Sequence, residues 1–197
     1  MVSGPHPLTL TLYALRLLAQ GRPVRPAQLA AAAGWPRAQV ETVLHGFTAT
    51  EWDTRGRLIG LGLTLRPTPH RFVIDQRVLF TWCAMDTLLF PVILGSRVQV
   101  HSHCASTSAS ITFTVSPDGT NDLAPASTVV TEIRPSGAVA DLRSTVCDQG
   151  QFFTKRRAAI RWRAEHPGGQ VMPLASAFDA ARARVTRLGW DTTGAPP

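Results

Sequence analysis

Apolar residues in the first 46 positions recur at helical spacing and are punctuated by proline and glycine. Leu8, Leu12, Leu15 and Leu18 fall on one face of a helix that stops at Gly21. Pro26 opens a second helix over Ala27 to Ala33, closed by Gly34. Pro36 opens a third, through Val40, Val43 and Leu44, ending near Gly46. Glu51 to Ile59 then reads as two short strands around the turn Thr54-Arg55-Gly56. Three small helices and a hairpin outline a winged helix-turn-helix. Such a module binds DNA in some proteins and is only a packing unit in others.

From Phe72 the pattern changes. Phe72 to Asp75 reads as a strand. Arg77 to Phe90 is apolar without strict alternation, which predicts a helix ended by Pro91 and Gly95. Arg97 to His101 and Ser110 to Val115 alternate as strands do, Pro117-Asp118-Gly119 is a turn, and Ser127 to Ile133 is a further strand. Ala158 to Ala164 and Ala175 to Arg187 are helical. The expected class is α+β, with a winged-helix-like domain over 1–65 and a mixed-sheet α/β domain over 66–197. The proline-rich ends, Gly4 to Pro7 and Gly194 to Pro197, are expected to be loose.

Composition narrows this only in part. The 197 residues suffice for one large domain or two small ones. Leu8 to Leu18 is interrupted by Thr9, Thr11 and Arg16, so it reads neither as a signal peptide nor as a membrane span. A soluble cytoplasmic protein is expected. The charge is 20 − 13 = +7, which admits a nucleic-acid partner. Only Lys155-Arg156-Arg157 with Arg161 and Arg163 is clustered, however, and that run reads as a solvated helix face. Three widely spaced cysteines do not form a disulfide framework. In a reducing compartment they are thiols available for metal or chemistry.

The candidate chemistry lies in Thr81-Trp82-Cys83-Ala84-Met85-Asp86 and in the distant Cys147. A thiol and a carboxylate three residues apart share one face if the run is helical. Cys83 alone reads first as a small buried hydrophobe. Asp86, in the apolar stretch that runs to Phe90, is costly to bury without a partner or a task. It either caps or pairs, or it has a raised pKa and carries a proton. A second thiol at the same place makes a soft-metal site. Cys104, in His101-Ser102-His103-Cys104, suggests a metal cluster, but on a strand the two histidines share one face and Cys104 points to the other. It is therefore read as structural. No CxxC, HExxH, glycine-rich phosphate loop or GxSxG is present, which argues against zinc fingers, zincins, NTPases and serine hydrolases.

Several stretches, in order and spacing, resemble the bacterial organomercurial (alkylmercury) lyases over roughly residues 14 to 155. They are Gly21-Arg22-Pro23-Val24, Thr50-Glu51-Trp52-Asp53, Ile59 to Arg66, Trp82 to Pro91, Ser102-His103-Cys104-Ala105, Thr114 to Pro117, and Cys147 followed by Gln151-Phe152-Phe153. The resemblance implies cleavage of the mercury–carbon bond by protonolysis, as part of mercury resistance. It assigns Cys83 and Cys147 to mercury, Asp86 to the proton, Trp82 to an aromatic beside the site and Cys104 to structure. It implies no organic cofactor, Hg2+ held as product, and small thiols or mercuric reductase as acceptors. Neither nucleic acid nor membrane is implied as a partner. Asp148 stands where many relatives carry a further cysteine. The rival reading is a winged-helix, metal-responsive DNA-binding regulator, against which the third helix offers few basic or amide side chains for base edges.

Overall fold

In the computed structural model, residues 6–190 are described except 48, 136 and 138. Of the proline-rich ends, positions 4, 5 and 194–197 lie outside the described residues, while Pro7 is not loose but opens α1. Helices α1 (Pro7–Leu18), α2 (Pro26–Ala33) and α3 (Arg37–His45) form as the proline and glycine pattern predicts. Pro26 occupies the first turn of α2, and Gly34 ends that helix at φ 68°, a left-handed conformation that costs glycine little. The buried stripe of α1 is Leu10, Ala14, Leu15 and Leu18, rotated from the one expected. Leu8 is exposed and Leu12 only partly buried. The helix is apolar on more than one side, so tertiary contacts rather than periodicity select the core face.

A hairpin of β1 (Glu51–Trp52) and β2 (Leu58–Leu61) follows, then β3 (Leu63–Thr64), β4 (His70–Ile74) and β5 (Arg77–Thr81). Next come α4 (Asp86–Leu94), β6 (Val98–His103), β7 (Ser110–Ser116) and β8 (Gly119–Ala124). One eight-stranded sheet runs β1-β2-β3-β5-β4-β6-β7-β8, so the hairpin is continuous with the main sheet. Along β6, Val98, Val100 and Ser102 are buried in the period of two that a half-covered strand requires. A second sheet, β10-β9-β11, contains β9 (Val129–Glu132), β10 (Phe152–Phe153) and β11 (Gln170–Pro173). Between β9 and β10 lies α5 (Leu142–Thr145); α6 (Ile160–Glu165) and α7 (Leu174–Arg187) follow β10. Helix α4 packs against α7, β7 and α1, and one apolar core joins the helical unit to both sheets.

Two expectations need correction. Arg77 to Phe90 is not a helix: Arg77–Thr81 is β5, paired on both sides, and α4 begins only at Asp86. A short apolar run does not by itself distinguish a central strand from a buried helix. Pro91 lies inside α4, which stops at Gly95 (φ 64°). The main sheet is antiparallel in every named pairing rather than mixed. Short connections between successive strands favour that arrangement. Among the described residues, the one parallel contact is an isolated bridge between Cys104 and Phe152.

The turn from β2 into β3 depends on Gly62, whose φ is +75°. A Cβ there would lie 2.7 Å from Phe90 Cζ and 3.7 Å from Asp86 Oδ2. Gly62→Ala is therefore expected to cost at least ~1–2 kcal/mol from the left-handed backbone alone, with the clash in addition. Thermal unfolding measures this, and an unchanged midpoint would contradict it.

Candidate functional site

Cys83 occupies the turn between β5 and α4 and not a helix. Its backbone N–H donates to Asp86 Oδ2 at 3.2 Å, and the Asp86 N–H donates to Cys83 Sγ at 3.4 Å. The two contacts close a tight turn just ahead of α4, whose own N-cap residue is Met85. Three-residue spacing thus brings the two side chains together, through a reciprocally bonded turn before α4 rather than a shared helical face. Both sit at the positive end of the nine-residue α4, where negative charge is favoured.

Cys147 arrives from a segment distant in the chain, in a 3-10 turn, Cys147–Gln149, after α5. The segment is fixed behind it by the Gly150 carbonyl, which accepts from Ala84 N–H at 2.9 Å. Gln149 O accepts from Trp162 Nε1 at 3.0 Å. Gly150 is needed for this approach, because a Cβ there would stand 3.0 Å from Cys83 Cβ. Under the loop lies buried His70, whose Nδ1 is 2.8 Å from Ser102 Oγ. Burial lowers its pKa to about 4, against a hydrogen bond to Gly150, so the ring is neutral near pH 7.

The three expected residues meet. One ligand atom each from Cys83, Asp86 and Cys147 lies within 4.8 Å of the others, the only such group of three found among the described residues. Twice a zinc–thiolate bond of ~2.3 Å is ~4.6 Å, so this span can bracket one metal ion between two sulfurs. Cys83 is buried, and Cys147 and Asp86 are half-buried. Contact with the Cys147 side chain, burial and the neighbouring negative charge of Asp86 push the Cys83 thiol well above its ordinary range. Burial also raises the Asp86 carboxyl to about 6, although hydrogen bonding to Cys83 and the positive charge of Arg184 pull it down. A carboxyl poised there exchanges protons readily near neutral pH.

Asp86 and Cys147 open onto a cavity of about 420 Å³. Its walls are mostly apolar and include Leu8 and Leu15 of α1, Phe47, Leu61, Leu89, Phe90 and Trp190. Trp82 lies in that wall and also in the wall of a second cavity, lined by His70, His103, Arg143 and Asp148.

Cys104 stands apart from the trio. It is buried, directly after β6, whose last residue His103 is exposed. Its sulfur is 3.5 Å from Thr154 N–H, 3.7 Å from Thr154 Oγ1 and 3.4 Å from Ser106 Oγ. Burial raises its pKa, but hydrogen bonds from Ser106, Thr107 and Thr154 outweigh that and lower it to about 6. The sulfur therefore serves as an acceptor joining β6 to β10. Cys104→Ser is expected to keep most of any activity and to shift stability by no more than about 1 kcal/mol. Loss of turnover in a folded Cys104→Ser protein would contradict a structural role.

Sequence reasoning missed three side chains around the site. His70 gave no signal beyond its strand. Arg143 lies in a segment without periodicity, stacks at 4.9 Å over the Trp82 ring and pairs with Glu51. Glu51 falls within Thr50-Glu51-Trp52-Asp53, where it is buried while the equally charged Asp53 is only half-buried, a difference the residues alone do not show. The basic run Lys155-Arg156-Arg157, Arg161 and Arg163 is exposed, as expected.

Two adjacent thiols and a carboxyl near neutrality, beside an apolar cavity, define a thiol site for a soft metal with proton transfer at hand. The comparisons specify it further. Residues 63–186 match the family model described as alkylmercury lyase, and residues 4–62 match the helix-turn-helix domain of alkylmercury lyase. An alkylmercury lyase of Pseudomonas putida is 44% identical over 89% of this chain and 84% of its own. One of Streptomyces lividans is 44% identical over 85% of this chain and 78% of its own. A crystal structure of the mercury-bound form of MerB2 superposes with a TM-score of 0.78 at 25% identity, over 94% of this chain and 93% of that one. The chain belongs to the alkylmercury lyase family.

Proposed function

We propose that this member of the family cleaves the carbon–mercury bond of alkyl- and arylmercury compounds with Cys83, Cys147 and Asp86. The hydrocarbon leaves and Hg2+ stays on the protein. The observation that carries the reading is the convergence of two sulfurs and one carboxylate oxygen within 4.8 Å. Mercury is soft, and thiolates are its preferred protein ligands.

Cys147, the more exposed thiol, takes R–Hg–X first; X⁻ and the thiol proton leave. The organic group rests in the apolar cavity whose wall holds Cys147 and Asp86. Cys83 then adds its sulfur to mercury and passes its proton to the Asp86 carboxylate. Two sulfur donors push electron density onto mercury and weaken its bond to carbon. As the bond breaks, its electron pair goes to carbon, and Asp86 returns the proton there. The products are R–H and Hg2+ between Cys83 and Cys147, with Asp86 again a carboxylate. Net, two thiols and R–Hg–X give R–H, a mercury dithiolate, H⁺ and X⁻. No organic cofactor enters this scheme. Holding three groups around one atom supplies the proximity contribution, and Asp86 supplies general acid–base catalysis.

Exposure of Cys147 suits transfer of the bound Hg2+ to small thiols or to a reductase thiol. Free thiols suit a reducing cytoplasm. No helix among the described residues is long and apolar enough to cross a membrane. The regulator reading is disfavoured: on α3, Arg37 is tied to Glu41 at 2.8 Å. The direct test is incubation of the protein with phenylmercury and a thiol, with benzene followed in the headspace. Binding of phenylmercury without benzene would overturn the reading.

A further inference from the structure

We infer that Glu51 and Arg143 form a clamp that positions Cys147 for the second half of the reaction, an inference that rests on the reading above. Glu51 belongs to β1 and is only 7% exposed. A carboxylate at that depth persists only with partners. Its two oxygens have them: one accepts the Thr64 hydroxyl, and the other pairs with the Arg143 guanidinium. Position 60 is glycine, and a Cβ there would collide with this carboxylate.

Arg143 comes from α5, 92 positions further along the chain. The same guanidinium lies 4.9 Å over the Trp82 ring and its Nε is 3.6 Å from Asp148 Oδ1. One cation thus touches the hairpin, the residue before Cys83 and the residue after Cys147. Helix α5 has four residues and none is buried, so apolar packing does little to hold it. Cys147 therefore lies between two fastenings. Gln149 and Gly150 hold the chain after it, and Arg143 holds the chain before it.

Capture of R–Hg by one thiolate needs only an accessible Cys147. Convergence of both sulfurs with Asp86 needs Cys147 in register, and a misplacement of about 1 Å can cost roughly 10²-fold in rate. Loss of the clamp should therefore reduce kcat and spare KM, since it removes placement rather than first binding.

The test uses the full chain with phenylmercury and a thiol. For Glu51→Gln and Arg143→Ala we expect kcat to fall roughly ten- to hundredfold and KM to move less than about threefold. Intact-mass spectra taken during turnover should show a phenylmercury–protein adduct that the unaltered chain does not accumulate. Arg143→Lys, which keeps the charge without the fork, should recover part of the loss. Should Glu51→Gln fail to fold, the two Arg143 variants carry the test, since that side chain is 36% exposed. A folded Arg143→Ala protein with unaltered kcat, or with a raised KM alone, would overturn the clamp. Absence of benzene from the unaltered chain would instead overturn the parent reading.

Discussion

Cys147→Ala is expected to lower benzene release from phenylmercury by on the order of 10³-fold or more, as removal of one member of a catalytic unit commonly does. Cys83→Ala should do the same for a related reason. With either sulfur gone, mercury has one thiolate, and the second push of electron density that weakens its bond to carbon is missing. The two variants should differ in what they retain. Cys147 is half-buried beside the cavity, so Cys83→Ala still captures phenylmercury and carries it as a stable adduct. Cys83 is buried and keeps its proton tightly, so Cys147→Ala should capture it slowly. Neither change empties much volume, and each should cost no more than about 1–2 kcal/mol of stability. Circular dichroism and thermal unfolding separate that from catalysis. Full turnover by a folded Cys147→Ala protein would falsify the assignment.

The legible parts of the fold were those where local chemistry decides. Pro26, Gly34 and Pro36 marked the ends of the small helices, and Arg97 to His101 showed its alternation, because these signals act within a few residues. Arg77 to Phe90 was misread because one apolar run spans both a strand and the start of a helix; β5 buries only Leu79 and Thr81, and its pairing with β3 and β4 identifies it. The site was legible in residue type but not in geometry. Cys83 and Asp86 were paired by their three-residue spacing, yet what joins them is a reciprocally bonded turn ahead of α4. Nothing in the residues alone placed Cys147 near them, since it lies 64 positions beyond Cys83. The resemblance supplied that pairing, and the Gly150–Ala84 hydrogen bond now accounts for it. Glu51 and Arg143 were invisible for the same reason: each looks like an ordinary surface charge until the partner arrives from 92 positions away.

Asp86→Asn is the second large effect, and it separates binding from chemistry. Both sulfurs remain, so the variant should take up phenylmercury at an unaltered stoichiometry while benzene release falls on the order of 10²–10⁴-fold, the usual contribution of a positioned acid–base group. The pH profile gives a sharper signature. Asp86 must begin as a carboxylate to accept the Cys83 proton, and its pKa is raised to about 6. Turnover by the unaltered chain should therefore climb as pH rises through about 6, and that limb should vanish in Asp86→Asn. Stability has the opposite slope. Up to about 6 the folded carboxyl keeps a proton that the unfolded chain releases near 3.8, so the folded state binds more protons in that window and stability falls as pH rises through it. A shift of about two units corresponds to roughly 3 kcal/mol. Asparagine removes that penalty and still offers an oxygen to the Cys83 N–H. At neutral pH the variant should unfold no earlier than the unaltered chain and yet be nearly inactive. A rate close to normal, or a persisting limb near pH 6, would show that another group carries the proton.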